Sequence, residues 1–213
     1  MSEEGRLREE ICRIGKSMFD RGLTAGASGN ISARLPDGRC LLTPTGATMG
    51  TLDPARLSVL SADGRHEDGD PPTKEVPLHA AFYETRDAGA VVHLHSTHSV
   101  ALSLLPDAAE DPFIPPLTAY AVMRVGRVRL LPFFLPGDPA MADAIRGLAG
   151  RHSAVMLANH GPVVAGRSLE AAAFAMEELE ETAKLALLTR GMGAVGLTEA
   201  QIDAVCRKFE VDW

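Results

Sequence analysis

Apolar residues recur every three to four positions at Leu7, Ile11, Ile14 and Met18, so the chain opens with an amphipathic helix that Gly22 stops. The period then changes. Thr24 to Ser32 is small and glycine-bearing and reads as a turn or loop running into a strand. Cys40-Leu41-Leu42-Thr43 and Leu57-Ser58-Val59-Leu60 are short apolar runs with strand character. Asp63-Gly64 marks a turn, and Gly69-Asp70-Pro71-Pro72 a loop. From Glu75 to about Arg86 the placing of Leu78, Ala81 and Phe82 predicts a helix with Glu75 in its first turn. Ala90-Val91-Val92-His93-Leu94-His95 reads as a strand, with a short helix around Ser99 to Leu104 after it.

Pro106 to Pro116 is a proline-bearing, acidic loop, and Val128-Arg129-Leu130-Leu131 a strand. Pro136-Gly137-Asp138-Pro139 opens a helix, because Asp caps and Pro suits the first turn. Ala154 to Ala158 reads as a buried strand, followed by a Gly161-Pro162 turn and a Val163-Val164-Ala165 strand. Ser168 caps a long helix to about Arg190, and Thr198-Glu199 starts a final short one. Helices and strands alternate without a repeat or an evident linker, so one α/β domain over residues 1–213 is expected.

The chemistry stands out against this pattern. A strand repeats every two residues, so His93 and His95 project from one face, and His160 follows another apolar strand. Three imidazoles would leave a coordination position open for substrate, which suits a catalytic metal rather than a structural one. A lone His-x-His pair is often two ordinary histidines, so the surrounding sequence has to decide. His66 and His152 read as surface residues, His79 lies on the predicted helix, and His98 is near the pair without being read as a ligand.

Composition narrows the classes. With 213 residues, 46% of them hydrophobic, the chain can bury one sizeable core. A net charge of −7 argues against nucleic acid as the main partner, since phosphate backbones need a basic footprint. Cys12, Cys40 and Cys206 are scattered and odd in number, so neither a disulfide framework nor a cysteine zinc site is expected. The first residues are polar and acidic and no apolar run reaches membrane-spanning length, so a cytoplasmic protein without a membrane partner is expected.

Ser28-Gly29-Asn30-Ile31-Ser32, Thr43-Pro44-Thr45-Gly46, Glu75, His93-Leu94-His95, Tyr120 and Asn159-His160-Gly161 together resemble the motifs of the class II, zinc-dependent aldolase and adducin family. The likeness runs from the first helix to the long helix near residue 190. It implies a layered sandwich in which a central, mainly antiparallel sheet is flanked by helices. It implies one Zn2+ per subunit on His93, His95 and His160; imidazole sites also accept Mn2+ or Co2+. Glu75 matches the catalytic acid/base, which in some members also touches the metal before substrate binds.

The resemblance places a substrate phosphate at Ser28, Gly29 and Asn30, at Thr45 and Gly46, and at Thr73. Glycines let backbone amides approach an anion closely. Thr73-Lys74 stands where typical aldolases carry two small hydroxyl residues; Lys74 reads either as solvated or as a cation facing the phosphate or carboxylate of a substrate. Tyr120, by itself, reads as half-buried packing. The matching tyrosine in the family reaches a neighbouring subunit's site and donates a proton, which implies a cyclic homotetramer with sites at its interfaces.

The flanks, Thr48 to Pro54, Gly69 to Glu75 and His93 to Ser99, look closest to the branch that decarboxylates 3-oxo-tetronate 4-phosphates. The implied reaction converts a phosphorylated four-carbon keto acid to dihydroxyacetone phosphate and carbon dioxide through a zinc-stabilised enediolate, with Glu75 or Tyr120 as proton source. Retro-aldol cleavage of a fuculose-phosphate type of substrate, or 4-epimerisation, would use the same residues. An adducin-like assembly module would not need the intact His93, His95, His160 and Glu75.

Overall fold

The computed structural model describes residues 2–213. Its first helix, α1 (Glu3–Asp20), is capped by the Ser2 hydroxyl and buries Ile11, Ile14 and Met18. Five strands follow: β1 (Asn30–Arg34), β2 (Cys40–Leu42), β3 (Ser58–Leu60), β4 (His66–Asp68) and, after α2 (Val76–Thr85), β5 (Ala90–His93). Helix α3 (Thr97–Ser103) and one π-helical turn (Ala121–Val125) lead to β6 (Val128–Leu131) and α4 (Pro139–Gly147). β7 (Ala154–Leu157), β8 (Gly161–Gly166), α5 (Leu169–Leu188) and α6 (Glu199–Phe209) complete the chain.

The strands form one sheet in the order β4-β3-β2-β1-β5-β8-β7-β6. Every pairing is antiparallel except β6 with β7. This is the α/β layered architecture, with a mainly antiparallel sheet, that the resemblance implied. The two-residue alternation of each strand divides the core. Ile31, Ala33, Val92, Met156 and Val164 pack with α1 and α5 on one face. Val91, Val155 and Val163 pack on the other face with Leu78 and Phe82 of α2 and Met141 and Ile145 of α4. Asn30 and Ser32 alternate with the apolar pair Ile31 and Ala33, so β1 turns its polar side toward α2.

Several local expectations need correction. Gly161-Pro162 is the start of β8, not a turn; the reversal lies just before it, where Asn159 takes the left-handed conformation at φ 57°. Asparagine tolerates that region better than most residues. Glu75 is the residue before α2, not in its first turn, and its side chain caps nothing. His152 is 8% exposed rather than a surface residue, with its Nε2 3.2 Å from Asp111 Oδ2. The short exposed strand β4 has no apolar alternation and was not expected.

Candidate metal centre

The three histidines converge at the ends of the neighbouring strands β5 and β8, in the middle of the strand order. His93 is the last paired residue of β5, opposite Val163 of β8. His95 lies beyond the strand, yet its Nε2 is 3.2 Å from His93 Nε2. His160 enters from the β7–β8 turn, and one ligand nitrogen from each ring lies within 4.8 Å of the others.

The Asn159-His160-Gly161 motif has a separate physical reason at each position. Asn159 supplies the positive φ, and His160 carries the nitrogen. Gly161 allows close approach: a Cβ there would lie 2.0 Å from the Leu94 carbonyl oxygen and 3.2 Å from His95 Cα. Gly161→Ala is therefore expected to push His95 off the other two rings. Metal content should fall, and turnover should drop by about 100-fold, the scale of an ångström-sized misplacement. Metal analysis with a parallel rate measurement checks this; an alanine variant with full metal and full rate would contradict it.

The segment after His95 is anchored from behind by Glu180 of α5. Its carboxylate accepts hydrogen bonds from the backbone N–H groups of His98 and Ser99, at 2.8 and 2.9 Å, and from the Ser99 hydroxyl at 2.6 Å. It thus supplies the N-terminal cap that Ser96 does not give α3. His98 also bonds Glu180 and stays outside the histidine cluster, as expected.

The nitrogens fit a divalent cation. His93 Nδ1 is 2.9 Å from the Pro162 carbonyl oxygen, so Nδ1–H donates and Nε2 is left bare. Two nitrogens about 3.3 Å apart match tetrahedral corners around an ion about 2.0 Å from each. Burial pushes all three imidazoles down, His93 to about 3, so they are neutral and able to ligate at pH 7.

Glu75 faces the same point. Its Oε2 is 3.4 Å from His93 Nε2, and its Oε1 is 3.5 Å from His160 Nε2. Oε1 is buried with no hydrogen-bond partner. Burial alone raises this carboxyl; the charge His93 carries when protonated and a 2.7 Å hydrogen bond from Asn30 Nδ2 outweigh it, and the net shift is downward.

A cleft of about 230 Å³ opens above these groups. That is below the roughly 300 Å³ at which drug-sized pockets begin, and suits a ligand of few heavy atoms. Ser28, Gly29 and Asn30 line one wall, with Thr45 and Gly46 beside them. Thr73, Lys74, Glu75, His95 and His160 complete it on the metal side. Gly29 has φ 78°, and a Cβ there would lie 2.8 Å from the His93 carbonyl oxygen, so only glycine fits. Among the residues lining the cleft Lys74 is the one lysine or arginine and Glu75 the one carboxylate. Pro136 and Gly137 also line it, although the sequence pattern gave them only a helix-starting role.

Tyr120 is the exception. It is 55% exposed, not half-buried, and is not part of the cleft of its own chain. Its ring lies near Arg124, 5.7 Å from guanidinium carbon to ring centroid.

This fold and this cluster of imidazoles and carboxylate define a class II aldolase-type protein. The chain belongs to that family: the pattern of the Class II Aldolase and Adducin N-terminal domain matches residues 9–187. More particularly, it is 48% identical over 218 residues to a 3-oxo-tetronate 4-phosphate decarboxylase of Cupriavidus necator, with 100% of both chains covered. The crystal structure of YgbL from Escherichia coli superposes with a TM-score of 0.93 at 48% identity, covering 96% of this chain and 99% of that one. An L-fuculose 1-phosphate aldolase superposes with a TM-score of 0.85 at 26% identity, covering 99% and 98%. No helix among the described residues is long and apolar enough to cross a membrane.

Proposed function

We propose that this chain is a metal-dependent 3-oxo-tetronate 4-phosphate decarboxylase, acting as one domain over residues 1–213. The observation that carries this reading is the full-length identity of 48% to such a decarboxylase, against 30–33% to sugar-phosphate aldolases compared in the same way. In the substrate the C1 carboxylate stands β to the C3 ketone. Breaking the C1–C2 bond releases carbon dioxide and leaves its electron pair at C2, delocalised into the C3 carbonyl. Protonation at C2 then gives dihydroxyacetone phosphate.

His93, His95 and His160 would hold the metal, for which zinc is the proposed ion. Bound there, a divalent cation would supply fixed positive charge that stabilises the electron pair delocalised into the carbonyl. Glu75 carries the proton to C2. In the free site it is held as a carboxylate; a substrate carboxylate arriving beside it raises its proton affinity, as like charges do. The backbone amides and hydroxyls of the wall formed by Ser28, Gly29, Asn30, Thr45, Gly46 and Thr73 hold the phosphate and so fix the ketone over the histidines, while the Asn30 side chain is taken up by Glu75 and Thr73.

Lys74 adds positive charge at the cleft mouth, where it meets the substrate's phosphate or carboxylate. Its side chain is exposed, so Lys74→Met is expected to raise KM about fivefold, with kcat little changed. An unchanged KM would make Lys74 a solvated bystander.

The exposed Tyr120 serves the cleft of a neighbouring subunit in a homotetramer. Sedimentation should give four chains, and Tyr120→Phe should lower kcat without dissociating them; a fully active monomer contradicts this. The decarboxylase reading itself is tested by incubating metal-loaded protein with 3-oxo-tetronate 4-phosphate. Equal amounts of carbon dioxide and dihydroxyacetone phosphate are expected, and absence of both overturns it.

A further inference from the structure

Behind Glu75 a chain of buried polar groups runs away from the metal ligands into the interface between α2 and β1. Glu75, His79 and Tyr83 recur every fourth residue along the start and one side of α2. Asn30 and Ser32 alternate on the facing side of β1. Four residues of helix advance about 6 Å, and two residues of strand advance about 6.8 Å. The two rows therefore mesh, and the contacts cross between helix and strand at each step. Tyr83 Oη lies 2.8 Å from Ser32 Oγ, and Ser32 Oγ lies 2.6 Å from His79 Nδ1. His79 Nε2 contacts Asn30 Oδ1, and Asn30 Nδ2 reaches Glu75 Oε2 at 2.7 Å. Asn30, Ser32 and His79 are each at most 5% exposed.

The direction of every bond in this chain is fixed by its ends. An ionised Glu75 only accepts, so Asn30 must turn its NH2 toward it. The second amide hydrogen of Asn30 goes to Thr73 Oγ1 at 3.3 Å. Asn30 Oδ1 then has to accept, which makes His79 the Nε2–H tautomer with Nδ1 bare. Nδ1 in turn takes the Ser32 hydroxyl proton, and Ser32 accepts from Tyr83. Burial pushes the His79 imidazole down to about 4 and the Tyr83 phenol well up, so both keep the neutral forms that this order needs. Asn30 passes no proton along the chain, because an amide would have to become an imidic acid to do so. The chain orients and does not conduct.

We propose that His79 is a positioning residue for catalysis: backed by Ser32 and Tyr83, it locks the Asn30 amide so that one carboxylate oxygen of Glu75 is held and the other is left free toward the substrate. This rests on the role of Glu75 given above and extends it to residues outside the cleft.

His79→Leu removes the donor to Asn30, and His79→Gln keeps one, since the glutamine NH2 can take the place of Nε2–H. His79→Leu should lower kcat about 10- to 100-fold, the range for outer partners of metal-site groups. KM should stay within about twofold and metal content should be unchanged. His79→Gln should restore most of the rate, and Tyr83→Phe should cost less than His79→Leu. Nitrogen-15 spectra of the histidine-labelled protein at neutral pH should show His79 as the neutral Nε2–H tautomer. Equal losses in the leucine and glutamine variants, or an Nδ1–H tautomer, would overturn the proposal. If the leucine variant does not fold, Tyr83→Phe and the spectra decide. The spectra and metal content also stand if the substrate proves to be a different one, so failure here is distinguishable from failure of the decarboxylase reading.

Discussion

Glu75→Gln is expected to bind metal normally and to lose about 10²- to 10⁴-fold in turnover, the usual contribution of a positioned acid or base. The amide keeps the size of the carboxyl, and its oxygen still accepts from Asn30 Nδ2, now at 2.7 Å from the native carboxylate. It carries no proton that it could give to C2. Both kcat and kcat/KM should fall together, because the lost step belongs to the transition state. Metal analysis and steady-state rates on one preparation separate the outcomes. A metal-replete variant with near-wild-type turnover would remove Glu75 from the chemistry and move the proton source to Tyr120. A variant without metal would make Glu75 a ligand first.

The second large effect concerns the histidines. His160→Ala removes one of three nitrogens that converge within 4.8 Å, and leaves the bare His93 Nε2 and His95 Nε2 as a two-point site. Metal content should fall from about one ion per chain to a small fraction, with activity down by more than about 100-fold. Chelation of the wild-type protein should do the same, reversibly. Adding back zinc, manganese or cobalt then ranks the metals, which geometry alone leaves open because imidazole accepts all three. Because the imidazoles must be neutral to ligate, retention should weaken on acidification, when protons compete for the same nitrogens. Full activity in a chelated, metal-free protein would rule out a catalytic metal on these histidines.

Much of the site was legible from residue order, because each motif has a local cause. His93 and His95 flank one residue at a strand end, and Asn159-His160-Gly161 combines a left-handed turn, a ligand and a close contact. What escaped was non-local. Gly161-Pro162 carries the usual punctuation of a turn, yet the reversal falls on Asn159, and Gly161 is glycine because β5 ends against it. The parallel pairing of β6 with β7 leaves no mark in either run of four apolar-rich residues. His152 looked like a surface residue because its partner, Asp111, is far away in sequence. His79 looked like an ordinary helical histidine; its meaning depends on β1 lying opposite α2, which no local pattern states. Cys12, Cys40 and Cys206 are free in the fold, in line with the absence of a disulfide framework.

Product stoichiometry decides whether this chain is a decarboxylase or an aldolase. Zinc-loaded protein would be given enzymatically prepared 3-oxo-tetronate 4-phosphates and, separately, fuculose 1-phosphate, with carbon dioxide trapped and dihydroxyacetone phosphate followed by a coupled assay. Carbon dioxide and triose phosphate are expected in equal amounts from a four-carbon acid, with no aldehyde from the sugar phosphate. Cleavage of the sugar phosphate to an aldehyde, without carbon dioxide from any four-carbon acid, would contradict the decarboxylase reading and make this chain an aldolase.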